Sequence, residues 1–389
     1  MEIPLFEQSA VFERGIGEAT DVVEKELFRI APRTEESESW ALRPEATAGV
    51  VRAFVQQGMQ TWPQPVKLTV VGPMFRYARP QAGRYRQFWQ WDAEAIGDPG
   101  PGVDAEVIEL GLRFYTEAGV PDVQVLLNSI GDAECRPAYL DRLTGYFQSH
   151  EAELPELERR RLELNPLRLL DSKDPAMAAL VAAAPRISDC LCEACEAHFG
   201  AVRAHLDAVG VPYRLEPTLV RGLDYYARTA FEYYRRGAEG QQQALGGGGR
   251  YDGLVELLGG RPTPGIGLAL GLDRVLLALD EVGAEPVHEA PPLAVVAGAD
   301  PADTVSRFRV ASLLRAEGLA VRVELAPRKL GRQLETASKE HAHFAVIIGD
   351  ELAEGNVQLK DLEAGTQRLV PLADLARELA RAAKSHHHG

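Results

Sequence analysis

Cysteine is scarce, with four residues in 389, which excludes a disulfide framework as the source of the fold. Bases are outnumbered, 42 lysines and arginines against 57 acids. The formal charge of −15 excludes binding of nucleic acid by bulk electrostatics and leaves room only for a local basic site. No apolar run is long enough to span a bilayer and no secretory leader opens the chain, so no membrane association is expected and the protein reads as cytoplasmic. The glycine run at 246–249 is not followed by Gly-Lys-Ser or Gly-Lys-Thr, which excludes a P-loop, and its setting does not make a dinucleotide fold. What is present is globular: 46% apolar and 25% charged residues, in a chain too long for a single core.

Val66, Leu68 and Val70 alternate with Lys67 and Thr69 and predict a half-buried strand that stops at Gly72-Pro73. A second strand is expected from Arg84 to Glu94, joined antiparallel to the first through the turn residues Arg79 to Gly83. Asp104 is placed as the cap of a helix ended by Gly119, and Val123, Val125 and Leu127 restore strand alternation. Charged helical sequence at 148–200 reads as an insertion between two parts of one core, 1–147 and 201–283. Strand signals return at Tyr213 to Tyr234, the glycines at 246–249 suit a turn, and Gly265 to Gly271 leads into a helix. A proline-rich linker at 284–292 precedes alternating strands and helices at 293–380, a small α/β domain, and a tail at 381–389.

Strand parity puts Arg84, Arg86, Phe88, Gln90, Asp92 and Glu94 on one face, an order suited to a polyphosphate, a stacked base and a donor-rich small molecule. The structural alternative is a surface strand with Tyr85, Trp89 and Trp91 buried behind it. Glu45 and Thr47 either cap a helix or reach a ligand. Arg221 and Tyr226 have opposite parity, so they can share a site only if Gly222 kinks the chain. Asp273 and Arg274 are capping charges or nucleotide contacts. Cys190, Cys192, Cys195 and His198 look compressed onto one helix, with no second ligand pair at finger distance unless Cys135 joins them, and no metal site is assigned.

Together these segments resemble the histidyl-tRNA synthetase family of class II aminoacyl-tRNA synthetases. Gly72 to Gln90 is similar to the second class motif and Gly267 to Arg274 to the third. Leu219 to Tyr226 and Ala244 to Leu254 carry the histidine-specific signatures, while Asn165 to Lys173 and Ala326 to Leu334 fit the same family. The resemblance implies an α+β fold: an antiparallel catalytic sheet with a helical insertion, plus a C-terminal α/β domain that reads the anticodon. It implies activation of L-histidine with ATP and Mg2+, transfer to tRNA(His), and a homodimer. It assigns Glu45, Thr47 and Gln90 to the α-amino group and Glu94, Tyr225 and Tyr226 to the imidazole. Arg76 would contact the α-phosphate with Arg221 opposite; Arg274 would contact the γ-phosphate, Arg84 would help bind ATP, and Phe88 would stack on adenine. Departures are an incomplete first motif at Met1 to Pro4, Ala78 where an acid is usual, and Asp273 where glutamate is usual. The rival is a non-catalytic, histidine-sensing regulatory paralogue of a histidine-biosynthesis phosphoribosyltransferase. The glycine block, Arg221, Tyr226 and the terminal domain count against it.

Overall fold

The computed structural model describes residues 1–386 apart from 18, 19, 21, 32, 33, 35–37, 173, 221–224, 237–243 and 285–291. The chain divides into two units, Met1–Glu285 and Pro286–Gly389. The first opens with a small antiparallel sheet of β1 (Phe6–Gln8), β2 (Arg29–Ile30) and β3 (Trp40–Leu42), with β3 in the middle. Its main sheet holds β4 (Val66–Phe75), β5 (Gln87–Ile96), β6 (Val123–Ser129), β7 (Tyr213–Leu215), β8 (Ala227–Arg235), β9 (Gly246–Arg250) and β10 (Gly265–Gly271). The order is β4-β5-β10-β9-β8-β6-β7, antiparallel except for the β6–β7 pair.

Two strand expectations need correction. β4 does not stop at Gly72-Pro73 but runs on to Phe75, because it lies at the sheet edge, where a missing proline N–H breaks no ladder. Glycine at 72 is required because a Cβ there would meet the Arg43 guanidinium at 2.3 Å. The glycines at 246–249 form no turn; they are most of β9, paired on both sides. A Cβ at Gly248 would lie 2.0 Å from the Gly267 carbonyl oxygen, and one at Gly249 would lie 2.7 Å from the Tyr226 ring. Close strand approach therefore demands glycine here.

One face of the sheet is covered by the helices Pro101–Glu117, Glu193–Ala208 and Leu272–Glu281, with Ile108, Tyr115, Val202, Leu206 and Val275 in the shared core. The helix Thr47–Gln56 packs Val50, Val51 and Phe54 with Val66 and Val70 in a second core. Asp104 is not a cap. The first helix starts at Pro101, and Asp104 turns inward to a fully buried ion pair with Arg250 at 2.5 Å, also receiving Thr229 Oγ1 at 2.6 Å and facing His198 Nε2 at 2.9 Å. A satellite core of Tyr139, Leu143, Phe147, Leu169, Met177 and Ile187 joins the helix Arg136–Ser149 to the helical sequence after it. Cys190 and Cys192 precede the helix Glu193–Ala208, and only Cys195 lies on it, so the thiols do not share one helix.

The second unit has β11 (Ala294–Gly298), β12 (Val321–Val323), β13 (Phe344–Ile348), β14 (Asn356–Asp361) and β15 (Gln367–Pro371), ordered β12-β11-β13-β14-β15. The first three are parallel and the last two antiparallel additions, a mixed α/β sheet as expected. Among the described residues no single helix is long and apolar enough to cross a membrane.

Candidate active site

A cavity of about 220 Å³ opens on the sheet over β5, β9 and β10. Two groups share its lining: the acceptors Glu45, Gln90 and Asp92, whose two carboxylates act on each other, and the cations Arg76, Arg84 and Arg274, with Glu232 close to Arg274 and Arg76 close enough to act on Glu45 and Asp92.

Among the acceptors, Glu45 accepts from the backbone N–H groups of Thr47 at 2.7 Å and Ala48 at 2.9 Å, so it caps the helix Thr47–Gln56 and lines the cavity at once. Burial raises its pKa; the two backbone N–H groups, Thr47 and Arg76 oppose the rise. Thr47 Oγ1 donates to Glu94 Oε1 at 2.6 Å, and the Tyr251 hydroxyl donates to Glu94 Oε2 at 2.6 Å. Glu94 thus sits behind Thr47 with both oxygens engaged, and burial pushes its pKa up to about 8. Asp92, two residues back on the same face, is 1% exposed, lines the cavity and has no hydrogen-bonding partner on either oxygen. Burial, then Glu94 and Glu45, push it well above the usual carboxylate range. Gln90 Oε1 is likewise buried without a partner. Three acceptors turned toward one space suit a donor-rich cationic group.

Tyr225 and Tyr226 also line the cavity, their ring centroids 4.6 Å apart, with Tyr251 at 6.0 Å from Tyr225. Neither lies on a strand, since β8 begins at Ala227. Arg221 and the proposed kink at Gly222 lie outside the described residues.

Among the cations, Arg76 Nε donates to the Pro44 carbonyl at 2.8 Å while its guanidinium lies 5.4 Å from the centroid of the Phe88 ring. Arg274 donates to the carbonyls of Gly83 at 3.0 Å and Ala244. Burial, then the nearby Arg84 and Arg76, lower its pKa, the signature of cations crowded around one space. Asp273 accepts from the Trp89 N–H at 2.7 Å and so fixes the helix start against β5. The face predicted for 84–94 is shorter than expected. β5 starts at Gln87, so Arg84 reaches the cavity from the loop, where it pairs with Glu26 at 2.9 Å, and Arg86 turns to the Tyr77 ring instead. Tyr85 is not buried behind the strand but precedes it, exposed and lining the cavity; Trp89 is exposed as well, and Trp91 packs on Phe114 at 4.9 Å.

Asp92, Glu232 and Tyr251 are among the cavity residues that had no role assigned. Parity already placed Asp92 on the correct face, so the signal was there. Tyr251 had none, because its contact with Glu94 spans 157 positions.

The protein-family model of histidyl-tRNA synthetase matches residues 1–275, and an anticodon binding domain model matches residues 294–382. The histidine--tRNA ligase of Moorella thermoacetica is 46% identical over 371 residues, covering 95% of this chain and 87% of the relative. That of Halothermothrix orenii is 43% identical over 380 residues, 97% of this chain and 90% of the relative. The crystal structure of apo S. aureus histidyl-tRNA synthetase superimposes with a TM-score of 0.78 at 34% identity, covering 97% of this chain and 90% of that one. With the cavity's acceptors and cations, these matches establish that the chain belongs to the histidyl-tRNA synthetase family.

Proposed function

We propose that the protein joins histidine to ATP as histidyl-adenylate, releasing pyrophosphate, and then passes the histidyl group to the 3′ end of tRNA(His), releasing AMP. The observation that carries this reading is the meeting, in one cavity, of a group of buried acceptors and a group of three arginines. An amino acid laid across it has its ammonium among Glu45, Thr47 and Gln90, while its imidazole faces Tyr225, Tyr226 and Glu94, with Asp92 as a further acceptor. Its carboxylate then points toward the cations.

Both partners in the first step are anionic, so the protein's task is alignment and positive charge; no side-chain nucleophile is needed. Arg76 meets the α-phosphate, with Arg221 assigned opposite it. Arg84 and Arg274 take the outer phosphates, and Phe88 stacks on the base. The Glu232 carboxylate lines the cavity close to Arg274, a hard oxygen donor of the kind suited to magnesium carried in on the triphosphate. Hydrogen bonding to both imidazole nitrogens would reject analogues that lack them. In the second unit the exposed Arg328, Lys329 and Arg332 gather at the start of the helix Leu330–Lys339, a local basic patch in an acidic chain that suits phosphates of the tRNA anticodon arm. The division into 1–147 with 201–283, an insertion at 148–200 and a terminal domain at 293–380, a cytoplasmic location and a homodimer complete the proposal.

Histidine-dependent exchange of labelled pyrophosphate into ATP tests it. The purified protein should catalyse exchange with histidine and with no other amino acid. Histidine binding without exchange would replace this reading with the non-catalytic regulatory one.

A further inference from the structure

Away from the cavity, the loop after β6 and the start of the helix Glu193–Ala208 bring four metal-ligating side chains together. Asp132, Cys135, Cys192 and Cys195 each place one donor atom within 4.8 Å of all the others. We propose that these four residues form a closed, structural zinc site.

The spacings measured between these donors match those of a tetrahedral zinc site. Zn–S bonds of about 2.3 Å and Zn–O bonds of about 2.0–2.2 Å set sulfur–sulfur edges near ~3.8 Å and sulfur–oxygen edges near ~3.5 Å. Cys135 Sγ and Cys195 Sγ are 3.8 Å apart, and Asp132 Oδ1 lies 3.6 Å from Cys135 Sγ and 3.9 Å from Cys192 Sγ. The ligands come as two short pairs, Asp132-x-x-Cys135 and Cys192-x-x-Cys195, one from each strand of chain, as in structural zinc sites. The backbone N–H of Asp132 donates to Cys135 Sγ at 3.4 Å, which orients that sulfur toward the other donors. Gly131, at φ 65°, is required here, since a Cβ would lie 2.7 Å from that sulfur. Arg228 holds the other carboxylate oxygen, Asp132 Oδ2, at 3.2 Å from Nη2, which orients Oδ1 toward the sulfurs. Three thiolates select a borderline-soft dication over magnesium or calcium. With four protein ligands, no position is left for catalysis.

Cys190 stands outside the quartet. Its sulfur accepts from Arg142 Nη1 at 2.9 Å. The apparent crowding of Cys190, Cys192, Cys195 and His198 in sequence was therefore misleading on both sides: Cys190 turns away, His198 faces Asp104, and the distant Cys135 and Asp132 supply the missing pair.

The site would clamp the two roots of the helical cluster, because the helix Arg136–Ser149 starts one residue after Cys135 and the helix Glu193–Ala208 one residue after Cys192. It also backs the histidine pocket. Arg136 Nη2 donates to the Tyr226 carbonyl at 2.6 Å, and the backbone of Arg228 pairs with Ile130 and Gly131 at 2.7 Å each.

Metal analysis of the full chain, purified under reducing conditions, should find about one zinc per chain. After chelation, titration with cobalt(II) should give a tetrahedral spectrum with thiolate-to-cobalt charge transfer, a signal that the histidines near the C-terminus cannot produce. Cys192→Ser should lose most of the bound zinc and weaken the charge-transfer band; Cys190→Ser should change neither. Asp132→Cys should retain the zinc and gain charge-transfer intensity, which keeps the test decisive if a serine variant fails to fold. Chelation should lower the thermal midpoint of the parent and leave that of Cys192→Ser unmoved. Absence of a thiolate–cobalt band in the reduced parent would overturn the proposal. So would equal zinc loss from Cys190→Ser and Cys192→Ser.

Discussion

Arg307 in the C-terminal unit and Asp92 in the N-terminal unit are both ionisable groups buried in sheet-and-helix structure, at 0% and 1% exposure, yet their surroundings differ. Arg307 is answered on every side. It donates to the carbonyls of Asp303 and Pro301 at 2.8 Å each and to that of Glu324, while the buried Gln333 near it exchanges hydrogen bonds with Gly298 at 2.9 and 3.1 Å. Asp92 has no partner on either oxygen and looks into the cavity. Buried polarity answered by main chain is structure, whereas buried polarity left open toward a space is a claim on a ligand.

The largest expected effect tests the cavity's cations. Arg76→Ala should cut histidine-dependent exchange by ~10²–10³, about 3–4 kcal/mol of transition-state stabilisation, with histidine affinity by calorimetry and the thermal midpoint nearly unchanged. Arg307→Met should behave in the reverse way. Stranding three buried carbonyls should destabilise the C-terminal unit by about 3 kcal/mol in denaturant titrations while exchange survives. Equal loss of exchange in both variants would erase the distinction.

A smaller effect sharpens it. Asp92→Asn should raise the KM for histidine roughly tenfold and, by removing an unpartnered buried carboxylate, increase stability. An unchanged KM would place Asp92 outside the ligand's reach. The smallest effect is a pH slope. Glu94 titrates at about 8 in the fold against an ordinary 4.5, so the folded protein holds a proton that the unfolded chain has released. Its contribution is complete below 4.5 and is lost as pH rises toward about 8, so stability declines through that window. Glu94→Gln should flatten that part of the decline, measured as urea midpoints across the window; an unaltered slope would move the titration to another group.

Sequence periodicity was enough for the strand pair β4–β5, the helix ending at Gly119 and the strand–helix alternation of the second unit, because each rests on local pattern. It failed where a neighbour decides. Pro73 is tolerated only because β4 is an edge, and the glycines of β9 read as a turn until the carbonyl of Gly267 is seen against them. Asp104 reads as a cap because its partner Arg250 lies 146 positions away. In the site, parity anticipated Phe88, Gln90, Asp92 and Glu94 on one face, since they lie on one strand. Arg84 escaped that logic by entering from a loop, and the family resemblance rather than any spacing brought Glu45, Tyr225 and Arg274 to the same cavity.

β9 has one more implication. Two of its four consecutive glycines, Gly246 and Gly247, present bare main chain to the cavity, a surface that substitution can only thicken. At Gly246 even a methyl group would meet the Ala269 carbonyl at 2.7 Å and the Tyr115 hydroxyl at 2.8 Å. The strand therefore works as a depth gauge: it fixes how far any ligand can sink while saying nothing about which ligand it is. Changes of preference must arise on the flanking walls, which leaves the mould itself untouched while its lining is free to vary.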